Sequence, residues 1–285
     1  TFRYNHPQPV QKRAAWSEPM DMEDIKTIRA AYPGVTLNDV MVACLERAHS
    51  AYLDSLAPEE ISEEDLANLA DPDYEGPAII LPEQRDSKLN IIIPKSLRYP
   101  GDMRFENVVT VEFLMLDNTS GEQSTEKSIA AAHKSMMHVK KSLFGWMAVV
   151  MARTFCTHIP GFLSKAFFTY CTDKAHGILT NVPGPTEALY FGNKNTEQHR
   201  VISFIVFPPV ATEGSTAFGV CSYNGQVRFA AMADASYEFP NQARTLADNF
   251  SAVYKRMLAD AHEELQARQL QDKVPNLAHV QMLRG

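Results

Sequence analysis

At 285 residues the chain is long enough for one large domain or two ordinary ones, with a sizeable buried core. Its 45% hydrophobic and 21% charged content suit a globular protein, and a net charge of -7 argues against nucleic acid as the main partner, because phosphate binding relies on a basic surface. Cys44, Cys156, Cys171 and Cys221 are widely spaced, without C-x-x-C pairing, and read as free, mostly buried thiols in a reducing compartment.

In chain order, Lys12 to Trp16 reads as a short strand. A helix follows from Asp21, with Asp21 and Asp24 spaced like a capping box, and Pro33-Gly34 ends it. Thr36 caps a stronger helix, in which Leu37, Val40, Met41, Cys44, Leu45 and Ala48 form a buried stripe. From Asp54 to Glu75 carboxylates occur without one Lys or Arg, as in a solvated, partly helical insertion or linker. Leu89 to Pro94 and Val108 to Leu116 have buried-strand length. A long helical region runs from Thr125 to Tyr170, broken near Gly145 and at Pro160-Gly161. Strands are expected at Ile178–Val182, Val201–Phe207, Thr216–Ser222 and Gln226–Met232, then a helix from Pro240 to Arg268 and a frayed tail beyond Gln269. Strands and helices mix without strict alternation and without an internal repeat. The expected fold class is therefore α/β with a mixed sheet and flanking helices. No signal peptide opens the chain and no apolar run reaches about 18 residues, the length of a membrane span. It begins at Thr1 in mid-pattern, so we read it as a fragment.

Two short strings stand out. Asn181-Val182-Pro183-Gly184-Pro185 follows an apolar run, and its prolines force the strand out of a ladder, presenting Asn181 at a strand end. Ser222-Tyr223-Asn224-Gly225-Gln226 turns one alternating strand into the next, with Asn224-Gly225 suited to a type I′ turn. Thr36 and Asp39 match the Ser/Thr-x-x-Asp/Glu cap, so Asp39 can serve the helix N-terminus while the helix positions Asn38. There is no Gly-x-Ser-x-Gly elbow, Walker loop, dinucleotide fingerprint or zinc spacing. Between Glu126 and Asp173 no acidic residue occurs, while basic residues alternate with bulky apolar ones. Trp146, Phe162, Phe167 and Phe168 are candidates for contact with a membrane interface, the plainer alternative being a pair of core helices.

Asn181-Val182-Pro183-Gly184-Pro185, Ser222-Tyr223-Asn224-Gly225 and Thr36-Leu37-Asn38-Asp39-Val40 together resemble the C-terminal half of the wax ester synthase / diacylglycerol acyltransferase family. Ile93-Pro94-Lys95-Ser96-Leu97-Arg98 is similar to the family's Val-Pro-Val-Ser-Leu-Arg, with Lys95 a departure, and Tyr190-Phe191-Gly192 to its Leu-Tyr-Leu-x-Gly. Asn107 falls near a family asparagine that usually follows Gly, where Glu106 stands here.

The resemblance implies a CoA-dependent acyltransferase, chloramphenicol-acetyltransferase-like fold, of which this chain is mainly the C-terminal half. Residues 1–53 would end the N-terminal half, 54–86 form an acidic insertion or linker, 87–268 the C-terminal domain, and 269–285 a flexible tail. The implied reaction moves a fatty acyl group from acyl-CoA to diacylglycerol or a long-chain alcohol, with acyl-CoA as substrate and no cofactor. The implied general base is the second His of His-His-x-x-x-Asp-Gly. None of His6, His49, His133, His138, His158, His176, His199, His262 and His279 has a His neighbour or Asp four positions downstream. No catalytic residue is therefore expected here; the base would come from a missing N-terminal half. Asn38 and Asp39 would support the active centre, and Asn181, Pro183, Gly184, Ser222 and Tyr223 would line the substrate and CoA tunnel. The partners would be acyl-CoA, a lipid acceptor and the missing half, not nucleic acid. The location would be intracellular and peripheral to a membrane or lipid-droplet surface. The alternative is a non-catalytic lipid- or CoA-binding module, or the structural half of a two-part acyltransferase.

Overall fold

The computed structural model describes residues 11–56, 62–71, 88–98, 101–102, 104, 109–117, 123–172, 174–192, 198–209, 215–235 and 241–282. Among them the strands are β1 (Lys12–Trp16), β2 (Met20–Asp21), β3 (Lys88–Ser96), β4 (Val109–Asp117), β5 (Gly177–Pro183), β6 (Tyr190–Phe191), β7 (His199–Arg200), β8 (Thr216–Tyr223) and β9 (Gln226–Asp234). The helices are α1 (Met22–Ala31), α2 (Leu37–Leu56), α3 (Glu63–Ala70), α4 (Thr125–Lys141), α5 (Phe144–His158), α6 (Gly161–Thr172) and α7 (Gln242–Met282). The main sheet runs β1-β9-β8-β5-β3-β4, with β2 also on β9. The β3–β5 and β5–β8 pairs are parallel and the others antiparallel, so the sheet is mixed as the irregular alternation of elements suggests.

Period-two alternation explains which face of the sheet is covered. Phe218 and Val220 of β8, and Val227, Phe229 and Ala231 of β9, point into one core with α1, α2, α4 and α7. Phe229 stacks on Phe250 of α7 at 4.0 Å between ring centroids. Each such burial contributes about 1.5–3 kcal/mol. Helix α2 lies against both α4 and α7. That position buries Val42 and Ala43 as well as the expected stripe, so α2 is a central helix rather than a one-sided one. Residues 11–56 share this sheet and core with the later strands.

Local capping is legible. Asp21 caps α1 by accepting a hydrogen bond from the Glu23 N–H rather than through the expected box with Asp24, and Ser62 and Asp65 form a capping box on α3. Residues 57–61 and 72–86 of the acidic insertion, and Glu106 and Asn107, lie outside the described residues. The turn between β8 and β9 has Asn224 at φ 48 and Gly225 at φ 77, both in the left-handed region as expected.

Two expectations fail. The run Val201 to Phe207 forms no strand, because β5 pairs directly with β8 and leaves no slot in the sheet. It crosses the outer face as a strap instead. A Cβ on Gly219 would lie 1.9 Å from the Val206 carbonyl oxygen, so only glycine admits the strap there. Phe204 meets Tyr223 edge-on, and Phe207 meets Trp16 the same way. Helix α7 runs to Met282, past Arg268 where the sequence reading ends it.

Candidate functional site at the end of strand β5

Asn181 shares the inward alternation of Gly177 and Leu179 on β5, but sits where the core ends. There it meets the N-terminus of α2: its Nδ2 donates to Asn38 Oδ1 at 2.5 Å. Two residues 143 positions apart are thus joined at one strand end. Among the described residues the other side of β5 has no ladder partner beyond Ile178, since β3 pairs only with Gly177 and Ile178. Pro183 can therefore close the strand without losing a bond.

The two proline- and glycine-bearing strings are fastened together. Pro183 pairs with Ser222 in the parallel register, the Gly184 N–H donates to Ser222 Oγ at 3.2 Å, and the Asn224 N–H donates to the Pro185 carbonyl at 2.9 Å. A Cβ on Gly184 would stand 2.1 Å from the Ser222 carbonyl oxygen, so the close approach requires glycine. Buried Tyr223 accepts from the Leu189 N–H and donates to the Val201 carbonyl, holding the strap in place. Asn181, Val182 and Pro183 are exposed, Asn38 and Gly184 half-buried.

Asp39 lies fully buried behind Asn38. Its Oδ2 accepts from the Thr36 N–H at 2.7 Å, and the Asp39 N–H donates back to Thr36 Oγ1 at 3.4 Å. This reciprocal cap is the one its spacing predicts. The same Oδ2 is 2.9 Å from His133 Nδ1 on α4. Burial alone would raise the carboxyl's pKa, but the hydrogen bonds from His133 and Thr36, with the charge of Lys140, hold it below its ordinary value. His133 is the site residue that sequence reasoning missed. A lone histidine 94 positions from its partner leaves no local signal.

Other candidates resolve into structural roles. His176 Nδ1 accepts from the Asn90 N–H, and burial lowers its pKa, keeping the ring neutral. Burial raises the thiol pKa of Cys44 and Cys221, so both are poor nucleophiles. The departure at Lys95 has a partner: its Nζ stands 3.4 Å from the buried Glu112. Trp146 and Phe162 are exposed, Phe167 is half-buried, and the side chain of Phe168 lies outside the described residues.

The WS/DGAT C-terminal domain family matches residues 107–257, more than half of the chain. The chain belongs to that family. Among solved structures it is similar to the wax ester synthase/diacylglycerol acyltransferase from Marinobacter aquaeolei VT8, at 18% identity and TM-score 0.49, covering 88% of this chain and 49% of that one. The epimerization domain from the third module of tyrocidine synthetase B is similar at 11% identity and TM-score 0.52, over 91% of this chain and 49% of the other. The trichothecene 15-O-acetyltransferase from Fusarium sporotrichioides is similar at 12% identity and TM-score 0.49, over 87% and 48%. The chain thus spans about half the length of each. Its mixed α/β fold is shared with the tyrocidine synthetase B epimerization domain. Among curated proteins nothing matches it.

Proposed function

We propose that this WS/DGAT-family chain acts in an O-acyltransferase that moves a fatty acyl group from acyl-CoA to diacylglycerol or a long-chain alcohol. The observation that carries the reading is the Asn181–Asn38 bond, which brings the two family strings together at the exposed end of β5. In this reading Asn38 and Asn181 positions the active centre, while Asp39, capped by Thr36 and braced by His133, fixes the helix that carries Asn38. Pro183 and Gly184 line the tunnel, and Ser222 and Tyr223 hold that loop from behind. The acceptor hydroxyl loses its proton to a histidine of a companion half, attacks the thioester carbonyl, and CoA thiolate leaves.

Exposed apolar groups flank the site and fit a companion lobe. Val182, Leu189, Tyr190 and Phe191 lie beside it, and Ile202 of the strap is 86% exposed. Farther along the sheet, Val109, Val111 and Met115 of β4 are exposed on its outer face.

The test is turnover in an enzyme that joins this chain to an N-terminal half carrying His-His-x-x-x-Asp-Gly. Labelled palmitoyl-CoA is offered with dioleoylglycerol or hexadecanol. Asn38→Ala should lower kcat at least tenfold with a small change in Tm. Equal loss of kcat and of folded protein would reduce Asn38 to a structural role. Acyl-CoA binding without any ester product would favour the non-catalytic module.

A further inference from the structure

Helix α4 is tied to the fold at both ends. Its stripe of Ile129, Ala132, Met136 and Val139 is buried in the core. At its start Thr125 Oγ1 donates to Asp260 of α7 at 2.5 Å. Near its end the Val139 carbonyl accepts from Lys95 of β3 at 3.4 Å. Between these anchors stands His133, its side chain 34% exposed, with Nδ1 against the N-terminus of α2. A ring carried by so firmly held a helix is a fixed reference for whatever it touches.

Asp39 meets that ring unequally. Its Oδ2 accepts from both the Thr36 N–H at 2.7 Å and His133 Nδ1 at 2.9 Å. Its Oδ1 is buried and has no hydrogen-bond partner among the described residues. Burial opposes the charge of Asp39, but the bonds from His133 and Thr36 hold its pKa below the ordinary value. An ionised carboxylate can only accept, so the proton of this contact sits on His133 Nδ1. His133 is the one side chain from another element that bonds to Asp39 among the described residues.

A buried charge that loses such a partner turns toward water or takes a proton. Either response pulls on the first turn of α2, where Asn38 is the adjoining residue. Asn38 Oδ1 in turn accepts from Asn181 Nδ2 at 2.5 Å. The path from α4 to the end of β5 therefore runs through direct contacts and one turn of helix. Thr36 can cap α2 unaided, whereas His133 decides where the capped end stands. Displacing a group that orients reactants by about 1 Å can cost about a hundredfold in rate.

We propose that His133 is a positioning residue for acyl transfer: by fixing the direction of the Asp39 carboxylate it sets Asn38 against Asn181, a role that rests on the reading of those two asparagines as parts of the active centre.

Two substitutions separate this role from plain bracing. His133→Asn keeps a donor at the place of Nδ1, whereas His133→Gln moves it to the place of Nε2, and both are polar enough for a partly exposed helix position. In the 285-residue chain the side-chain amide resonance of Asn181 reports its bond to Asn38. That resonance should stay in place in His133→Asn and move toward the solvent-exposed position in His133→Gln. In the enzyme that joins this chain to an N-terminal half carrying His-His-x-x-x-Asp-Gly, His133→Gln should lower kcat about tenfold while KM for palmitoyl-CoA stays within about twofold. His133→Asn should retain most of the parent rate. Added to Asn38→Ala, His133→Gln should cause no further loss, because its effect passes through Asn38. An Asn181 resonance unmoved by His133→Gln would overturn the proposal, as would rate losses that multiply in the double variant. Absence of ester from the unsubstituted joined enzyme, with the Asn181 resonance responding as stated, would sink the acyl-transfer reading and leave the control of Asn38 by His133 standing.

Discussion

Asp39 does two jobs with one oxygen. It caps α2 through Thr36 and ties α2 to α4 through His133. Burial works against its charge, but the Thr36 and His133 hydrogen bonds and the charge of Lys140 outweigh it, so its folded pKa lies below the ordinary 3.8. A depressed carboxyl stabilises the fold above the unfolded value, and that stabilisation is lost as pH falls through the folded value. Asp39→Asn should therefore lower Tm at pH 7 by the equivalent of about 1 kcal/mol or more. It should also flatten the fall of Tm below about pH 4. An unchanged acid limb would show that other carboxylates control it. At Gly184 the constraint is steric: Gly184→Ala should destabilise by about 1–3 kcal/mol, because the added carbon meets backbone rather than a yielding side chain. Chemical denaturation measures this, and an unaltered midpoint would mean that the loop relaxes away from Ser222.

At the scale of elements, the β8–β9 hairpin rests on Asn224 and Gly225, both at positive φ. The Gly225 carbonyl also accepts from the Met22 N–H, so the turn seats the start of α1. Gly225→Val should cost at least about 1 kcal/mol from strain in the left-handed region. Thermal melting measures it, and an equal Tm would contradict the turn assignment. This hairpin was legible because its signal is local: two turn residues between two alternating runs. The helix break expected near Gly145, which falls at Ser142–Leu143, the break at Pro160-Gly161 and the Thr36–Asp39 cap were legible for the same reason. Val201 to Phe207 was not. Its apolar run has strand character, but whether it joins a ladder depends on β5 and β8 finding each other first. Likewise, nothing near Gly145 announces that Glu112 from another element caps its helix. Of the candidate site, the strings holding Asn38 and Asn181 could be read off separately. Their bond, and the pairing of Asp39 with His133, come from tertiary packing.

Across the whole molecule, one core joins β1 and α2 to β9 and α7, and one face of the sheet is filled by helices. The other face is covered by the strap near β8 and carries exposed Val109, Val111 and Met115 on β4. Such an arrangement suits a lobe that meets a second lobe across its open sheet and the end of β5. The most direct measurement of this account is ester formation from labelled acyl-CoA by two proteins: this chain alone, and this chain joined to an N-terminal half bearing His-His-x-x-x-Asp-Gly. The account predicts no ester from the first and sustained turnover from the second. Turnover by the 285-residue chain on its own would contradict it.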